Sequence, residues 1–291
     1  MYILVTSKSK GGGVLDLKYS IDMVRLKVEV PVKVLDSLIL KPFESEPNIK
    51  YSMKTSITAY RHNFFIEGYD LFGCKCSYWI GASHNSRKHS DHTDIVLEYN
   101  PNKCNGEPVL QYVLDHIYKD NKYVEVKSLD VAIDIPCNIL ELNIGQSGNM
   151  NRRIFDNGSD DKTYYFRKGK SNGAIKIYNK KRESKLGYEL TRYEITLNPN
   201  IYISCMDSYD VPDSLFIPVT NISNFQMPID LSGSDKVILL ACMEHMEYIK
   251  YLDRRKRKKI EQLLAENCSI DFDFKYIYRL IVDFLKNIYT L

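Results

Sequence analysis

Hydrophobic and polar residues alternate along most of the first two hundred residues of the chain. Alternation with a period of two is typical of β-strands that bury one face. Glycine, asparagine and proline are frequent between these segments and favour turns there. The pattern predicts a mainly antiparallel sheet, with strands at Tyr2–Val5, Met23–Val30, parts of Tyr51–Tyr60, Asn63–Tyr69, Cys74–Ile80, Asp94–Asn100, Val124–Ile135, Thr163–Arg167, Gly173–Asn179 and Leu190–Leu197, and with a short strand near Arg153–Phe155 inside a polar loop.

Helical periodicity appears in two regions. Glu107–Tyr118 has apolar residues at helical spacing within the β-rich part. In the C-terminal region Ser234 can cap a helix that continues to about Tyr251. A second helix carries the basic run Arg254–Lys259 and ends near Cys268, and a third has an apolar stripe close to the C-terminus.

These patterns predict an α+β protein in three parts. Residues 1–200 are expected to form a β-rich domain with packed helices, and residues 201–233 an irregular connection interrupted by prolines. Residues 234–291 are expected to form a small helical domain. A chain of 291 residues is long enough to bury a sizeable core.

Composition excludes several classes of protein. The chain is 44% hydrophobic and 26% charged, as ordinary globular proteins are. No apolar run is long enough to span a membrane, and the N-terminus does not have the pattern of a signal peptide. Seven cysteines without the spacing of a disulfide framework indicate reduced thiols, so a cytoplasmic location is expected.

The run Arg254–Lys259 places six cations in consecutive positions. Such a helix could neutralise several DNA phosphates. The alternative is a solvated helical surface without a partner, which is the usual role of a charge run. The net charge of +3 is too small to decide between them.

A tyrosine in the segment IKIYNKK is the first candidate for chemistry. Alternation places Lys176, Tyr178 and Lys180 on one strand face, with Ile175 and Ile177 directed into the core. A phenol beside two ammonium groups suits attack on a phosphodiester, because the cations attract the phosphate and favour the phenolate. The alternative is a structural tyrosine, since the chain has 22 and aromatic residues favour strands.

Acidic residues occupy neighbouring predicted strands. Asp130 and Asp134 share one face of LDVAID, Glu194 shares a face with Arg192 in RYEITL, and Glu98 lies in a similar strand. Carboxylates together with water suit Mg²⁺ or Mn²⁺. A solvated sheet face or a pair between Arg192 and a carboxylate would equally satisfy these acids.

Histidines do not form the paired-histidine strand motif with which many DNA-nicking enzymes hold a metal ion. His84, His89 and His92 instead cluster in a polar stretch rich in Ser, Asn and Asp. A metal site there is an alternative, but a solvated loop accounts for the same pattern. Any metal ion is therefore expected to be held by carboxylates.

Four short stretches gain significance when they are taken in chain order: LEYNPNK (Leu97–Lys103), SLDVAID (Ser128–Asp134), KIYNKKRE (Lys176–Glu183) and TRYEITL (Thr191–Leu197). In these motifs, their order and their spacing, the chain resembles the pT181-type plasmid rolling-circle replication initiators, a family of replication initiation factors. KIYNKKRE is the most specific of the four. The resemblance implies a relaxase-type, HUH-like nicking domain without the paired histidines.

The resemblance implies that Tyr178 is the nicking tyrosine, because the family's nucleophile lies in the same I-Y-N-K-K context. Lys176 and Lys180 would then stabilise charge on the transferring phosphate. The tyrosine would form a 5′-phosphotyrosine and release a 3′-hydroxyl that primes a polymerase.

The family's active-site acids fall on Asp130, Glu183 and Glu194, which would hold Mg²⁺ or Mn²⁺. Asp134 and Glu98 match further acidic positions of the motifs and are candidates for additional acids.

The resemblance also implies partners. Family members act as homodimers at a double-strand origin, which is a hairpin or supercoiled site, and they recruit a host helicase; no membrane is involved. Residues 1–200 would nick DNA and residues 234–291 would recognise it. The DNA-binding residues implied are Lys250, Arg254, Arg255, Lys256, Arg257 and Lys258.

Three departures from the family pattern indicate a divergent branch. Ser128 stands where the family carries a basic residue, and Thr191 stands where it carries tryptophan. The connection from Glu183 to Arg192 is also short for the family. Two alternatives stay open at this point: a conjugative relaxase of the same superfamily that acts at a transfer origin, and a DNA-binding protein without covalent chemistry.

Overall fold

The structure is a computed structural model of the 291-residue chain. It describes residues 2–8, 14–40, 43, 49–53, 60–84, 91–119, 121, 123–145, 151–156, 158, 162–167, 173–209, 211, 215, 217–221, 225, 227–268, 270, 272 and 274–290.

Strands dominate the first two hundred residues, and every pairing between described strands is antiparallel. The predicted α+β class with a mainly antiparallel sheet is therefore confirmed. The strands are β1 (Tyr2–Lys8), β2 (Val14–Pro31), β3 (Ile49–Met53), β4 (His62–Tyr69), β5 (Lys75–His84), β6 (His92–Tyr99), β7 (Glu125–Ile135), β8 (Leu142–Ile144), β9 (Asn151–Asp156), β10 (Lys162–Arg167), β11 (Ala174–Asn179), β12 (Thr191–Leu197), β13 (Ile201–Tyr202) and β14 (Val219–Asn221).

The main sheet has twelve strands, with the order β3-β4-β5-β6-β2-β7-β12-β11-β10-β9. In addition, β1 pairs with β2 and β13 pairs with β7, while β8 and β14 form a separate two-stranded sheet. The long strand β2 lies between β6 and β7, and its register against β7 shifts between Ile21 and Met23. Such a shift is typical of a β-bulge, which moves the following side chains relative to the face.

Short helices and helical turns connect the strands, and longer helices follow the sheet. The helices are α1 (Val32–Leu35), α2 (Pro108–Val113), α3 (Lys180–Ser184), α4 (Gly233–Glu244), α5 (Arg254–Cys268) and α6 (Phe274–Thr290), with π-helical turns at Asp36–Leu40 and Leu114–Tyr118 and 3₁₀ turns at Ile139–Glu141, Ile203–Ser208 and Met246–Tyr251. None of the helices in the described ranges is both long enough and apolar enough to cross a bilayer.

The main core forms from one face of the large sheet together with α2 and α6. Strand residues such as Leu97, Ile133 and Tyr193 are fully buried, because alternate positions of each strand face this core. Helix residues Val113 and Ile281 belong to the same cluster. Polar residues therefore occupy the opposite face of the central strands, which leaves that face for chemistry.

A second, smaller core lies between α4 and α5. Leu239, Cys242, Ile260 and Leu264 form it. The helix α6, which was expected in the same helical domain, contributes instead to the main core. Ile277, Ile281, Val282 and Leu285 of this helix are buried in the main core, with the β-rich part of the chain.

Two predicted boundaries in the C-terminal part are corrected. Ser232, and not Ser234, caps α4, with its side chain accepting a hydrogen bond from the Asp235 amide at 3.2 Å. The helix ends at Glu244, and the 3₁₀ turn Met246–Tyr251 follows it. The connection predicted for residues 201–233 also contains regular structure, in the form of a 3₁₀ turn and β14.

Glu107 anchors α2 to the sheet. Its carboxylate accepts hydrogen bonds from the Leu110 amide and from the Tyr78 hydroxyl, both at 2.7 Å. Pro108 occupies the first turn of the helix, where a missing amide hydrogen costs nothing. Glu107 is buried, and its carboxylate is the hydrogen-bond acceptor both for the helix terminus and for a core tyrosine.

We expect Glu107→Ala to lower the free energy of unfolding by about 2–4 kcal/mol, because it removes a helix cap and leaves a buried hydroxyl without its acceptor. Urea denaturation followed by circular dichroism measures the change. Glu107→Gln retains an acceptor oxygen and should be clearly less destabilised. Equal destabilisation of the two variants would contradict this role of the carboxylate.

Candidate active site

Strand β11 directs the predicted nucleophile to the polar face of the sheet. Ile175 and Ile177 are buried in the main core, and Lys176 and Tyr178 lie on the opposite face, as the alternation predicts. Gly173 precedes the strand at φ +92°, and a Cβ there would lie 2.3 Å from the Thr196 carbonyl oxygen. This glycine therefore allows β11 to enter the sheet tightly against β12.

The strand ends at Asn179, which corrects one prediction. The Asn179 side chain accepts a hydrogen bond from the Arg182 amide at 3.1 Å and caps α3. Lys180 is thus the first helical residue and not a strand neighbour of Tyr178. Its ammonium group nevertheless lies 5.8 Å from the centre of the Tyr178 ring.

Tyr178 lies between a carboxylate and two cations. Its hydroxyl donates a hydrogen bond to Glu194 Oε2 at 3.3 Å, across the pairing of β11 with β12. Lys176 Nζ lies 3.9 Å from the centre of the ring, within the range of a cation–π interaction. The side chain is 5% exposed, so the phenol lies in the sheet face and does not extend into solvent.

The Tyr178 phenol is held in its protonated form. Burial raises its pKa above the ordinary value, and the carboxylates of Glu194 and Glu183 raise it further, while Arg192 opposes them. The net shift is thus opposite to the predicted stabilisation of the phenolate, because burial and the neighbouring acids raise the pKa of the phenol. Attack by this hydroxyl requires a group that accepts its proton, and Glu194 is in position to do so.

Arg192 organises the charges beside the tyrosine. Its Nε and Nη2 atoms donate to the two carboxylate oxygens of Asp134 at 2.6 Å and 2.8 Å, and its Nη1 atom donates to Asp22. Burial alone would lower the pKa of the guanidinium, but the two carboxylates raise it above its ordinary value. The alternative of an Arg192–carboxylate pair is confirmed for Asp134, which removes that acid from the free metal-ligand candidates.

Sequence reasoning missed Asp22. The residue lies at the register shift of β2, between Ile21 and Met23, where the period of two is broken. Alternation alone could not assign it to the polar face. Its pairing with Arg192, a residue distant in the chain, emerges only when β2 and β12 flank β7 in the sheet.

Asp130 and Glu194 lie on neighbouring strands and share the polar face. Asp130 is opposite Thr196 in the β7–β12 register, and Glu194 is opposite Ala132. Burial raises the pKa of both carboxyls, and Asp130 adds to the increase at Glu194. Lys176 and Thr196 oppose these increases in part. The carboxylates of Asp22 and Glu98 also raise the pKa of Asp130, and a bound cation would relieve this crowding of negative charge.

The other candidate acids have cationic partners. Burial would raise the pKa of Glu183, but its hydrogen bond to Lys180 and the charge of that lysine hold the pKa below its ordinary value. Glu98 pairs with Arg25, which lies opposite it on β2. The structure thus brings Asp130 and Glu194 together, with Glu183 near Tyr178 but engaged by Lys180.

Within the described ranges, no three His, Cys, Asp or Glu side chains lie close enough to hold a metal ion by themselves. The donor set still fits Mg²⁺, which proteins often bind through one or two carboxylates together with substrate phosphate. Asp130 and Glu194 supply two such carboxylates. In the alternative histidine cluster, His92 contacts Asp91 and His89 lies outside the described residues.

The predicted DNA-binding residues gather at the start of α5. Asp253 precedes the helix and accepts hydrogen bonds from the Arg255 and Lys256 amides, both at 2.9 Å, which explains why the basic run becomes helical. Arg254, Arg255, Lys256 and Lys258 are exposed.

Arg257 has a different environment from the rest of the run. It is half-buried and donates to the Ile249 and Lys250 carbonyl oxygens at 3.2 Å and 2.5 Å, which ties α5 to the preceding 3₁₀ turn. Lys250 is exposed, with its ammonium 4.9 Å from the centre of the Tyr251 ring. Arg257 therefore has a structural role that the charge pattern alone did not reveal.

A cleft of about 1150 Å³ separates α5 from the β9–β10 strands. Lys250 and Arg257 line it on the helical side, and Arg152 and Lys162 line it on the strand side. Glu244 and Glu261 also line the cleft, so its charge is mixed, with four cations and two carboxylates.

Comparison with known proteins supports a relationship with replication proteins. No protein-family profile matches the chain. A replication initiation protein from Staphylococcus aureus is 26% identical over 193 residues, which is 62% of this chain. The chain spans 57% of the length of that relative. The expected resemblance to replication initiation proteins is thereby confirmed.

A solved structure is also similar. It is the structure of a rolling circle replication initiator protein from Geobacillus stearothermophilus, which matches 85% of this chain and 97% of its own chain with a TM-score of 0.37 and 14% identity.

We expect Asp130→Asn to increase the free energy of unfolding at neutral pH. The pKa of Asp130 is raised in the folded state, so the carboxyl stabilises the fold only while it is protonated. This stabilisation is complete below the unfolded pKa of about 4 and is lost as the pH rises through the folded pKa. Thermal unfolding of both proteins across the acidic to neutral range measures the difference, which should disappear at the acidic end.

Glu183→Gln is a control for which the opposite change in the free energy of unfolding is expected at neutral pH. The pKa of Glu183 is lowered, so its contribution is present at neutral pH and is lost on acidification. If Asp130→Asn were less stable than the parent at neutral pH, the prediction that the ionised Asp130 carboxylate destabilises the fold would be wrong.

Proposed function

We propose that this protein is a pT181-type rolling-circle replication initiator that nicks one strand of a double-strand origin and remains joined to it through Tyr178. The observation that carries the proposal is the Tyr178 hydroxyl, hydrogen-bonded to Glu194 on a sheet face that also holds Asp130 and Lys176. Similarity to a replication initiation protein supports the same conclusion.

The reaction is a transesterification. The Tyr178 oxygen attacks the scissile phosphorus and forms the phosphotyrosine bond, while the bond to the 3′ oxygen breaks and that oxygen takes up a proton. Glu194 accepts the phenolic proton through the existing hydrogen bond. The number of phosphoester bonds is unchanged, so the strand can be resealed without ATP.

Cations around the tyrosine stabilise the transferring phosphate. Lys176 lies over the ring of Tyr178, and the Lys180 ammonium, at the start of α3, lies 5.8 Å from the centre of the same ring. Both ammonium groups are close to the position at which negative charge develops on the phosphoryl oxygens. In this structure the Lys180 ammonium is paired with Glu183.

A divalent cation, Mg²⁺ or Mn²⁺, fits the same face. Asp130 and Glu194 would hold it, with Glu183 as a third donor from α3. When bound, such a cation supplies Lewis-acid polarisation of a non-bridging phosphate oxygen. Asp134 stays engaged with Arg192, and Glu98 with Arg25, so these two acids position the sheet face and do not bind the cation.

One nucleophilic tyrosine per chain requires a second chain for a complete cycle. Nicking at the start and cleavage after one round each consume a tyrosine, which a homodimer provides. The host helicase implied by the resemblance and the cytoplasmic location stay predictions.

We expect Tyr178→Phe to abolish the covalent protein–DNA adduct while leaving binding of the DNA unchanged. The variant removes only the attacking oxygen from a side chain that otherwise stays packed. The assay incubates the protein with supercoiled plasmid carrying its own replication origin and Mg²⁺ or Mn²⁺, and resolves nicked DNA with protein attached at its 5′ end. Tyr188→Phe, at an exposed tyrosine of the same region, should form adduct normally.

The same assay separates the alternatives. A chelator should prevent the adduct if Asp130 and Glu194 act through a divalent cation, and Glu194→Gln should lower its rate by about 10²-fold or more. Nicking at a transfer origin but not at a replication origin would favour a conjugative relaxase. Binding without nicking under all metal conditions would identify a DNA-binding protein without covalent chemistry.

Neutralising the exposed cations of α5 should weaken DNA binding and reduce its dependence on salt. Replacement of Arg254, Arg255, Lys256 and Lys258 by glutamine should lower the slope of log affinity against log salt by about 0.9 for each DNA phosphate that is no longer neutralised. Fluorescence anisotropy with origin DNA at several salt concentrations measures the slope. Lys259→Gln is the matched control, since Lys259 pairs with Asp235 at 2.6 Å, and an equal effect there would contradict a specific basic surface.

A further inference from the structure

Strand β10 places an aromatic side chain beside the candidate nucleophile. In the pairing of β10 with β11, Thr163 lies opposite Tyr178 and Tyr165 lies opposite Lys176. Paired residues of neighbouring strands share a face. Tyr165 is therefore on the same face as the Tyr178 hydroxyl and is next to the lysine that covers the Tyr178 ring.

Strand β9 extends this aromatic surface to the end of the sheet. Phe155 lies opposite Thr163, and Arg153 lies opposite Tyr165. The rings of Phe155 and Tyr165 meet edge to face, with centroids 5.4 Å apart and planes at 84°. Phe155 is 55% exposed, and all six residues of β9 are exposed, so the pair is open to a ligand.

The composition of this surface fits nucleic acid without base pairing. Aromatic faces stack on unpaired bases, and cations beside them neutralise the connecting phosphates. Here Arg153 and Lys176 flank Tyr165 on the same face. A duplex keeps the faces of its bases stacked inside the helix, so only a single strand can present them to Phe155 and Tyr165.

The distance from the nucleophile is appropriate for a neighbouring nucleotide. Phe155 is two strands from Tyr178, which corresponds to about 10 Å at the spacing of a β-sheet. A phosphate at Tyr178 would therefore leave an adjacent base within reach of the aromatic pair. The surface is continuous with the candidate active site through Lys176 and Tyr165.

We infer that Phe155 and Tyr165 form a base-stacking subsite that holds single-stranded DNA next to the scissile phosphate. The inference rests on the proposed function, because it takes the strand to be the substrate of Tyr178. The subsite supplies affinity that depends on the bases, and it orients the unpaired strand across β11 toward the tyrosine.

The test uses Phe155→Leu, which removes the aromatic face, and Phe155→Trp, which retains one. The probes are a fluorescein-labelled oligothymidylate of about twelve nucleotides, an abasic strand of the same length and a duplex of the same length. Phe65→Leu is the matched control, since Phe65 is 41% exposed on the same sheet face but lies on β4, far from Tyr178 in the strand order. Circular dichroism confirms that each variant is folded.

Anisotropy should show that Phe155→Leu lowers affinity for oligothymidylate by about tenfold, within the range found when a stacking aromatic is removed. Phe155→Trp and Phe65→Leu should bind as the parent does. Binding of the abasic strand and of the duplex should be the same in all four proteins, because neither offers an unpaired base to the site.

Several results would overturn the inference: no binding of oligothymidylate by the parent, an equal decrease in affinity for the abasic strand, or an equal decrease in Phe65→Leu. Nicking by the parent together with unchanged strand binding in Phe155→Leu would refute the subsite and leave the proposed function intact. If binding depends on the bases and on Phe155 but the protein never nicks DNA, the proposed function is refuted and the base-stacking site remains.

Discussion

The ion pairs of Arg192 control the arrangement of the polar sheet face. One guanidinium joins Asp134 on β7 and Asp22 on β2 from its position on β12, so three strands are tied by a single charged group. Breaking a buried pair of this kind by removing one partner typically costs about 3–5 kcal/mol. Arg192 thereby adds a charged side-chain link to the backbone pairing of β2, β7 and β12, on the face that also holds Asp130, Glu194 and Tyr178.

The acids around Tyr178 are distributed between two kinds of environment. Asp134, Glu98 and Glu183 have cationic partners, whereas burial and nearby carboxylates destabilise the ionised forms of Asp130 and Glu194. Such destabilised carboxyls on one face typically indicate a functional site. The fold tolerates them because the opposite face of the same strands belongs to a large apolar core.

The period of two was sufficient to predict which residues of β7, β11 and β12 share the polar face. It placed Tyr178 with Lys176 and separated Asp130 from its core neighbours, as the structure confirms. The period of two was insufficient where a strand ends or where its register shifts. Lys180 begins a helix because the Asn179 side chain caps it, and Asp22 was missed because a register shift interrupts β2. The prediction that α6 belongs to a separate helical domain was wrong for another reason. The apolar stripe of a helix predicts that this face is buried, but it does not identify the part of the protein that covers it.

The sequence by itself determined most strands of the main sheet, the residues that share their faces and the resemblance to replication initiators, because these depend on local periodicity and on motifs. Only the tertiary structure decided the strand order, the partners of each acid and the raised pKa of the Tyr178 phenol. Those features depend on burial and on charges from residues distant in the chain. Arg192 and Asp22 are adjacent only after β2 and β12 have joined the two sides of β7.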